Sequence, residues 1–161
     1  MSRWTRLIRQ VLADSGHDYE IIEIDPELAD TAQFCEAYGY PMEQSANTIV
    51  CVTKRGPEQF AACVVLATDR LDVNGTVKRE LGASKASFAD ADRTRELTGM
   101  EIGGVTALAL PHDLPLWIDA AVMDCDWIIL GAGDRGHKIN VTPRILTDLP
   151  NARVVEGLAK Q

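Results

Sequence analysis

The chain has 161 residues, of which 46% are hydrophobic and 25% are charged, and its formal net charge is −8. This composition is typical of one folded globular domain and excludes disordered, collagen-like and disulfide-scaffold proteins. The acidic balance argues against binding along DNA or a long RNA, because such binding needs many basic side chains. It leaves contact with a few nucleotides at an RNA end open.

The N-terminal segment predicts an amphipathic helix rather than an export signal. Apolar residues at positions 4, 7, 8, 11 and 12 follow helical spacing and are interleaved with arginines, so we expect residues 1–16 to pack on their own domain. No apolar run is long enough to cross a bilayer. The four cysteines include no C-x-x-C pair, so we expect no zinc site. Because the sequence shows no export signal, we expect reduced thiols in a cytoplasmic protein.

The rest of the pattern predicts a single domain, residues 1–161, of interspersed helices and strands. Helix starts are marked by Asp30, by Asp90, and by Thr142 with Pro143 after it. Because the elements show no regular βαβ rhythm, we predict an α+β fold around a mixed sheet. Helices are predicted near 3–14, 30–38, 73–82, 90–98 and 142–148, and strands near 19–24, 48–54, 60–67, 116–118, 126–131 and 137–141.

One glycine motif has the spacing of a nucleotide-binding loop. Residues 131–136 read G-x-G-x-x-G after a predicted strand, the fingerprint of dinucleotide sites. That chemistry needs a helix to begin at the third glycine, so that its N-terminus holds the pyrophosphate. Residues 137–141 instead alternate polar and apolar side chains like a strand, and Pro143 follows. We therefore predict a β-turn here and no NAD site.

A second glycine cluster is a candidate for catalysis. Gly103 and Gly104 are adjacent in the segment 98–107, after a predicted helix. Adjacent glycines let backbone N–H groups approach a ligand closely and act together as donors. Such donors can stabilise the oxyanion that forms when an ester carbonyl is attacked. The alternative is a turn that only needs positive φ angles.

The sequence contains no other arrangement typical of nucleophilic catalysis, neither a G-x-S-x-G elbow nor a Cys–His signature. His17 and His112 lie in loop-like stretches, as surface histidines do. His137 begins a predicted strand beside the glycine-rich turn, where a lone histidine is either structural or part of a site.

Several stretches, in order along the chain, match the sequence motifs of one protein family. Residues 78–89 (KRELGASKASFA) match a helix-to-strand segment, and residues 96–105 match a loop written LTG and then GGV. The match spans residues 18–158 and also includes 44–50 (QSANTIV), 116–119 (LWID), 129–133 and 135–146. On these residues the chain resembles the YbaK/ProX family, the freestanding relatives of the editing domain of bacterial prolyl-tRNA synthetases.

The resemblance implies a mixed sheet with a barrel-like core surrounded by helices, and a trans-editing activity. Such relatives hydrolyse the ester that joins a wrong amino acid to the terminal ribose of a tRNA. They are thought to use backbone donors and a ribose hydroxyl of the substrate, without a metal or a covalent intermediate. A second sieve of this kind is useful because one binding pocket separates amino acids that differ by a methylene only about 10–200-fold.

Position by position, the resemblance implies catalytic and substrate-binding residues in this chain. Asn47 stands where the family has a lysine, and Ala107 stands where a proline is usual. Asp119 matches a family aspartate, although a carboxylate at a strand end can equally cap neighbouring backbone. The residues implied for catalysis are Gly103, Gly104 and His137, and those implied for substrate binding are Asn47, Thr48, Thr106, Ala107 and Asp119.

Two functions of different class therefore follow. The first is an aminoacyl-tRNA deacylase whose partner is the 3′ end of an aminoacyl-tRNA, favoured by the retained loop glycines. The second is a non-catalytic adaptor that binds an aminoacyl or RNA 3′ end, or an aminoacyl-tRNA synthetase, favoured by the loss of the lysine. Neither function is expected to need zinc, magnesium or NAD, because the sequence has neither ligand spacing nor a valid nucleotide loop.

For a deacylase, the sequence predicts that Asn47→Ala slows hydrolysis of the true substrate about tenfold. Asparagine offers the substrate a neutral hydrogen bond in place of the charge-assisted one that lysine gives. The melting temperature is expected to change little. Release of free amino acid by wild type and variant measures the effect, and equal rates would place the site elsewhere in the chain.

Overall fold

A computed structural model describes residues 3–161; residues 1 and 2 of the predicted N-terminal segment 1–16 lie outside this range. The α-helices are α1 Arg3–Ser15, α2 Thr31–Tyr38, α3 Lys78–Leu81, α4 Ala91–Thr98, α5 Ala120–Met123 and α6 Arg144–Thr147. The strands are β1 Tyr19–Glu23, β2 Ala46–Thr53, β3 Phe60–Leu66, β4 Arg70–Leu71, β5 Ala86–Phe88, β6 Leu116–Asp119, β7 Ile128–Gly131, β8 His137–Val141, β9 Ala152–Val155 and β10 Ala159–Lys160. None of these helices is long and apolar enough to span a membrane.

The strands form the predicted mixed sheet. In the main sheet the order is β5-β2-β3-β6-β9, antiparallel from β5 to β3 and parallel from β3 to β9. A second, antiparallel sheet has the order β1-β8-β7, and β10 pairs with β4. A single bridge between Ser45 and Ile129 joins the start of β2 to β7. Within residues 3–161 the sheets do not close, so the α+β fold is confirmed without a closed barrel.

The predicted elements that follow clear periodicity are confirmed, and each of their ends lies within two residues of its predicted position. The helix predicted near 73–82 is a π-helical turn at Val73–Val77 that continues into α3. The pattern did not predict α5, β4, β9 and β10, because two to four residues are too few to show a period. Only the family resemblance implied a strand at β5.

The core alternates across the main sheet, as strand periodicity requires. Val50 of β2 faces the largest apolar cluster, which also holds Ile8 and Leu12 of α1. Its neighbour Cys51 faces the opposite side, in a cluster with Trp117 of β6. The amphipathic spacing of the N-terminal segment therefore serves packing against its own domain.

A third, smaller cluster attaches α2 to the second sheet. Phe34 is completely buried there and packs with Ile129 of β7. Its ring stacks on those of Tyr38 and Tyr40, with centroids 5.3 and 5.2 Å away. This packing holds the N-terminus of α2 beside the first residues of β2.

Helix α1 is attached to the glycine-rich turn after β7. A Cβ on Gly133 would lie 2.5 Å from the Trp4 Cβ, and a Cβ on Gly99 would lie 3.1 Å from the Trp4 indole. The Thr5 hydroxyl donates to Asp134 at 3.1 Å. Gly133 and Gly99 both have positive φ angles, of 93° and 75°. The turn predicted in place of a nucleotide loop is thus a docking surface for α1.

We expect Gly133→Ala to destabilise the protein more than Gly39→Ala. Both glycines have left-handed φ angles, so each variant loses about 1 kcal/mol from its backbone. A Cβ on Gly133 would lie 2.5 Å from the Trp4 Cβ, whereas nothing lies within 4 Å of a Cβ on Gly39. Overpacking adds about 1–3 kcal/mol. Denaturant unfolding of the two variants measures the difference, and equal losses would contradict tight packing of Trp4.

Candidate functional site

A cavity of about 270 Å³ lies beside the first half of β2. It is there because β5 pairs only with residues 51–53 of β2, which leaves residues 47–50 without a strand on that side. The N-terminus of α2, the loop at 102–105 and the ends of β7 and β8 complete the walls. The lining residues are Asp30, Thr31, Phe34, Ser45, Ala46, Asn47, Thr48, Ile49, Val50, Ala89, Thr94, Ile102, Gly103, Val105, Ile129, Leu130, Gly131 and Lys138.

The free edge of β2 directs backbone groups into this cavity at Thr48. In an antiparallel pair, the N–H and C=O of one residue point to the same side, and the side alternates along the strand. The Val50 carbonyl accepts from the Ala89 N–H at 2.8 Å, on the side away from β3. By this alternation the N–H and C=O of Thr48 also point away from β3, where β5 has already ended.

The side chain of Thr48 adds a second polar group. Its Oγ1 is shielded from solvent and is the buried side-chain polar atom that lacks a hydrogen-bond partner in the described part of the chain. Buried polar groups in native proteins nearly always have a partner, so such an atom in a cavity wall marks a place where a ligand can bind.

Asn47 lines the cavity beside Thr48, with its side chain fixed by α2. The Thr31 hydroxyl, at the start of α2, donates to Asn47 Oδ1 at 2.6 Å. The amide N–H₂ of Asn47 remains the group that can donate to a ligand, while its oxygen is occupied.

Lys138 of β8 is a cavity residue that the sequence analysis did not single out. Its side chain is buried, with a relative exposure of 6%. The Nζ atom lies 3.4 Å from the Gly103 carbonyl oxygen and 5.6 Å from the centroid of the Phe34 ring. Burial lowers the pKa of the Lys138 ammonium, and the nearby Arg135 lowers it further. Lys138 stands at a polar position of a strand that alternates normally, so the sequence pattern gave no signal that it is buried.

Gly103 also lines the cavity, at the point where the loop meets Arg135. The Arg135 guanidinium donates to the carbonyl oxygens of Ile102 and Pro26, at 2.9 and 3.2 Å, and lies 3.3 Å from Asp30. A Cβ on Gly103, whose φ is 94°, would collide with that guanidinium. This glycine therefore allows the close approach of loop, arginine and helix α2 that forms one cavity wall.

Gly104 lies behind the cavity wall rather than in it. Its N–H donates to the Glu101 carbonyl at 2.9 Å, and its carbonyl accepts from the Gly133 N–H at 2.6 Å. A Cβ at this position would lie 2.7 Å from the Asp134 backbone. Both polar groups are used in packing the loop on the turn after β7, and a bulky substitution here would test that packing rather than a donor.

Four further predicted site residues are outside the cavity lining, and their predicted roles stay predictions. Thr106 is buried and caps the 3-10 helix at Ala107–Ala109 through the Leu108 N–H, so it packs with Ala107 in the core. Asp119 accepts from the Ala159 N–H at 3.2 Å, and burial raises the pKa of its carboxyl. His137 Nδ1 lies 3.0 Å from Asp134 Oδ1.

Comparison with known families identifies the family to which this fold belongs. The model of the aminoacyl-tRNA editing domain matches residues 25–149, more than half of the chain. The chain belongs to the aminoacyl-tRNA editing domain family. The matched region contains every residue that lines the cavity and the elements from α2 to α6, whereas α1, β1, β9 and β10 lie outside it.

The chain is similar to one further protein sequence and to several solved structures. The uncharacterized protein YwhH of Bacillus subtilis (strain 168) is 23% identical over 147 residues, 91% of each chain. A crystal structure provisionally described as a trans-editing enzyme for prolyl tRNA synthetase has a TM-score of 0.81 and 24% identity, and covers 100% of this chain and 99% of its own. The hypothetical protein APE2540 has a TM-score of 0.83 and 21% identity, over 96% and 99% of the two chains. These structures share the fold.

We expect Thr48→Val to leave the stability of the editing domain unchanged or raise it by up to about 1 kcal/mol. The substitution keeps the shape and removes a hydroxyl that has no partner. Thr76→Val is the matched control, because the buried Thr76 hydroxyl lies 2.8 Å from the Gly157 carbonyl oxygen and 3.1 Å from Asp72. That variant should lose about 1–3 kcal/mol. Thermal unfolding compares them, and similar losses would mean that the Thr48 hydroxyl has a structural partner.

Proposed function

We propose that the protein is an aminoacyl-tRNA deacylase that hydrolyses the ester bond of a mischarged aminoacyl-tRNA in trans. The observation that carries the proposal is the cavity at the free edge of β2, where Thr48 has an unpartnered hydroxyl and backbone groups on the unpaired side of the strand. The chain that forms this cavity is a member of an editing-domain family. Unused polar groups at an enclosed place are what a transition state with a new charge requires.

The size of the cavity supports entry of the aminoacyl end alone. About 270 Å³ is at the small end of the range for ligand pockets, and it suits an amino acid with part of a ribose better than a longer piece of RNA. The net charge of −8 agrees with this, because an RNA held mainly at its tip needs few basic contacts. The proposed partner is therefore the 3′ end of an aminoacyl-tRNA.

The proposed reaction is addition of water to the ester carbonyl. The water oxygen bonds to the carbonyl carbon, and the carbonyl electron pair moves to its oxygen, where the Thr48 backbone N–H and hydroxyl donate hydrogen bonds. The bond from carbon to the ribose oxygen then breaks as the carbonyl re-forms. One proton of the water ends on the ribose oxygen, and the other leaves with the amino acid. The cavity also holds the water and the ester close together, and this proximity supplies the rest of the rate acceleration of the hydrolysis.

In this proposal the glycine-rich loop shapes the cavity. The Gly104 N–H already donates to Glu101, so the adjacent glycines do not act as a matched pair of donors. Gly103 instead allows Arg135 and the loop to close against α2. The free strand edge takes over the donor role that the sequence suggested for the loop.

The lining of the cavity indicates how a second sieve would select its substrate. Val50, Val105 and Leu130 form an apolar wall, and Thr94 and Thr31 add hydroxyls. Such a pocket admits a small side chain and excludes a larger one by volume. Discrimination by one methylene in an apolar pocket is about 10–200-fold per step.

Release of free amino acid from a panel of mischarged tRNAs tests the proposed function. We expect the purified protein to hydrolyse at least one small aminoacyl ester faster than buffer does, and without added metal. Catalysis that stops on dialysis against a chelator would contradict the metal-free reaction. Tight binding of a charged tRNA with no hydrolysis of any member of the panel would favour the adaptor function.

Thr48→Val is expected to reduce kcat/KM on the best substrate of that panel about tenfold, because a hydrogen bond to the transition state is lost. Thr76→Val, away from the cavity, is expected to keep the wild-type rate at a temperature where it is folded. Initial rates of amino acid release compare the two. A wild-type rate for Thr48→Val would remove its hydroxyl from the mechanism.

A further inference from the structure

Lys138 occupies a buried position in a strand where a charge is costly. Its neighbour Ile139 faces the main core, so Lys138 lies on the other face of β8, toward α2. Cross-strand from it stands Gly131, which also lines the cavity and carries no side chain. The lysine stem is thereby enclosed, and its exposure is only 6%.

The ammonium group of Lys138 has few partners for its three N–H donors. The structure gives it one long hydrogen bond, 3.4 Å to the Gly103 carbonyl, and the face of the Phe34 ring at 5.6 Å. No carboxylate of residues 3–161 lies within ion-pair distance of it. Natural proteins seldom bury an ammonium without an acidic partner, because its hydration is lost without compensation.

The other polar groups nearby bring no positive charge into the cavity. The Arg135 guanidinium holds Ile102, Pro26 and Asp30 together and is not part of the cavity lining. Asn47 is neutral, and its oxygen accepts from Thr31. Among the residues that line the cavity, Lys138 is the one with a positive charge.

Among the described residues, three charged or titratable groups act on the Lys138 ammonium, one from the turn before β8 and two from the side of α2. Arg135 lies in the turn that precedes β8, and Asp30 and Cys35 face Lys138 from the side of α2. Burial and Arg135 lower the pKa of the ammonium, while Asp30 and Cys35 raise it. The net effect favours proton loss at a lower pH than for an exposed lysine, whose ordinary value is 10.5.

We propose that Lys138 is a catalytic residue that donates a charge-assisted hydrogen bond to the carbonyl oxygen of the bound aminoacyl ester. The inference rests on the proposed deacylase function and deepens it. In the addition step, the electron pair that moves onto the carbonyl oxygen is stabilised by the ammonium together with the Thr48 donors. When the bond to ribose breaks, that pair re-forms the carbonyl, and Lys138 keeps its proton throughout.

A further consequence separates this role from a structural one. Replacing an unpaired buried ammonium by an apolar group of similar length relieves the desolvation cost, so Lys138→Met should raise the melting temperature. If Lys138 were retained for packing, its replacement would instead lower the melting temperature. A stability gain with an activity loss is typical of a residue kept for function.

The test compares four proteins in the hydrolysis assay: wild type, Lys138→Met, the double variant Lys138→Met with Asn47→Lys, and Lys85→Met. We expect Lys138→Met to lower kcat/KM about 10- to 100-fold, as loss of a charge-assisted bond in the transition state does. Lys85, an exposed residue outside the cavity, should be replaceable without effect. The double variant returns an ammonium to the same cavity from β2 and should recover part of the rate.

The pH profile provides a second readout. After subtraction of uncatalysed hydrolysis, the wild-type kcat/KM should fall as pH rises through the pKa of Lys138, because the neutral amine no longer carries the charge. Lys138→Met should lack this fall. A Lys138→Met rate within twofold of wild type, or an unchanged pH profile, would overturn the proposal.

Binding separates failure of this inference from failure of the deacylase function. The probe is 3′-aminoacylamino-3′-deoxyadenosine, whose amide cannot be hydrolysed by the same route. If the wild type binds the probe but cleaves no ester, the deacylase function fails. Weaker binding by Lys138→Met, restored in the double variant, would then support the contact, and equal binding would overturn it. Absence of probe binding to the wild type would overturn both.

Discussion

The site of this protein depends on one incomplete strand pairing. Strand β5 pairs with β2 at residues 51–53, and among the described residues the β-bridge to β7 is the one between Ile129 and Ser45, just before β2. Between these two contacts, β2 has an edge that is inside the protein and yet unpaired. A sheet edge usually offers its N–H and C=O groups to water or to another strand. Here the cavity encloses that edge, and the groups are available to a bound ester.

The elements around the gap hold it open by packing among themselves. Phe34 anchors α2 to β7, and Thr31 connects the start of α2 to Asn47. On the other side, α1 packs on the turn after β7, and that turn holds Gly104 through the Gly133 N–H. Glycines occur where backbones or a guanidinium approach more closely than a Cβ would permit. The residues that surround the cavity are thus fixed by neighbours that do not line it.

Two polar groups in the cavity are unfavourable for the free protein. The Thr48 hydroxyl has no partner, and the Lys138 ammonium has one long hydrogen bond and an aromatic ring. Each loses hydration without full compensation, and each would gain a partner when a carbonyl oxygen enters. Concentrating such groups at one place is how a preorganised site differs from an ordinary core. The same residues are therefore the ones where activity and stability are expected to change in opposite directions.

The sequence by itself determined the elements with a clear period and the family. Helical spacing in α1, alternation in β2 and β8, and cap residues such as Asp90 predicted element types, because these signals are local. The sequence motif around Gly103 and Gly104 indicated the editing-domain family. The candidate site was only partly accessible: Asn47, Thr48 and Gly103 line the cavity, whereas Gly104 and His137 do not.

Only the tertiary structure decided which residues lie together around the unpaired edge of β2. The sequence could not show that β5 ends early against β2, since a three-residue strand has no periodicity of its own. It could not show that Gly104 uses its N–H within the loop, nor that Lys138 is buried facing α2 with no carboxylate of the described residues at ion-pair distance. A lysine in an alternating strand is ordinarily read as solvent-exposed. Whether its face meets water or a cavity depends on the packing of α2, which is set by contacts about a hundred residues away in the chain.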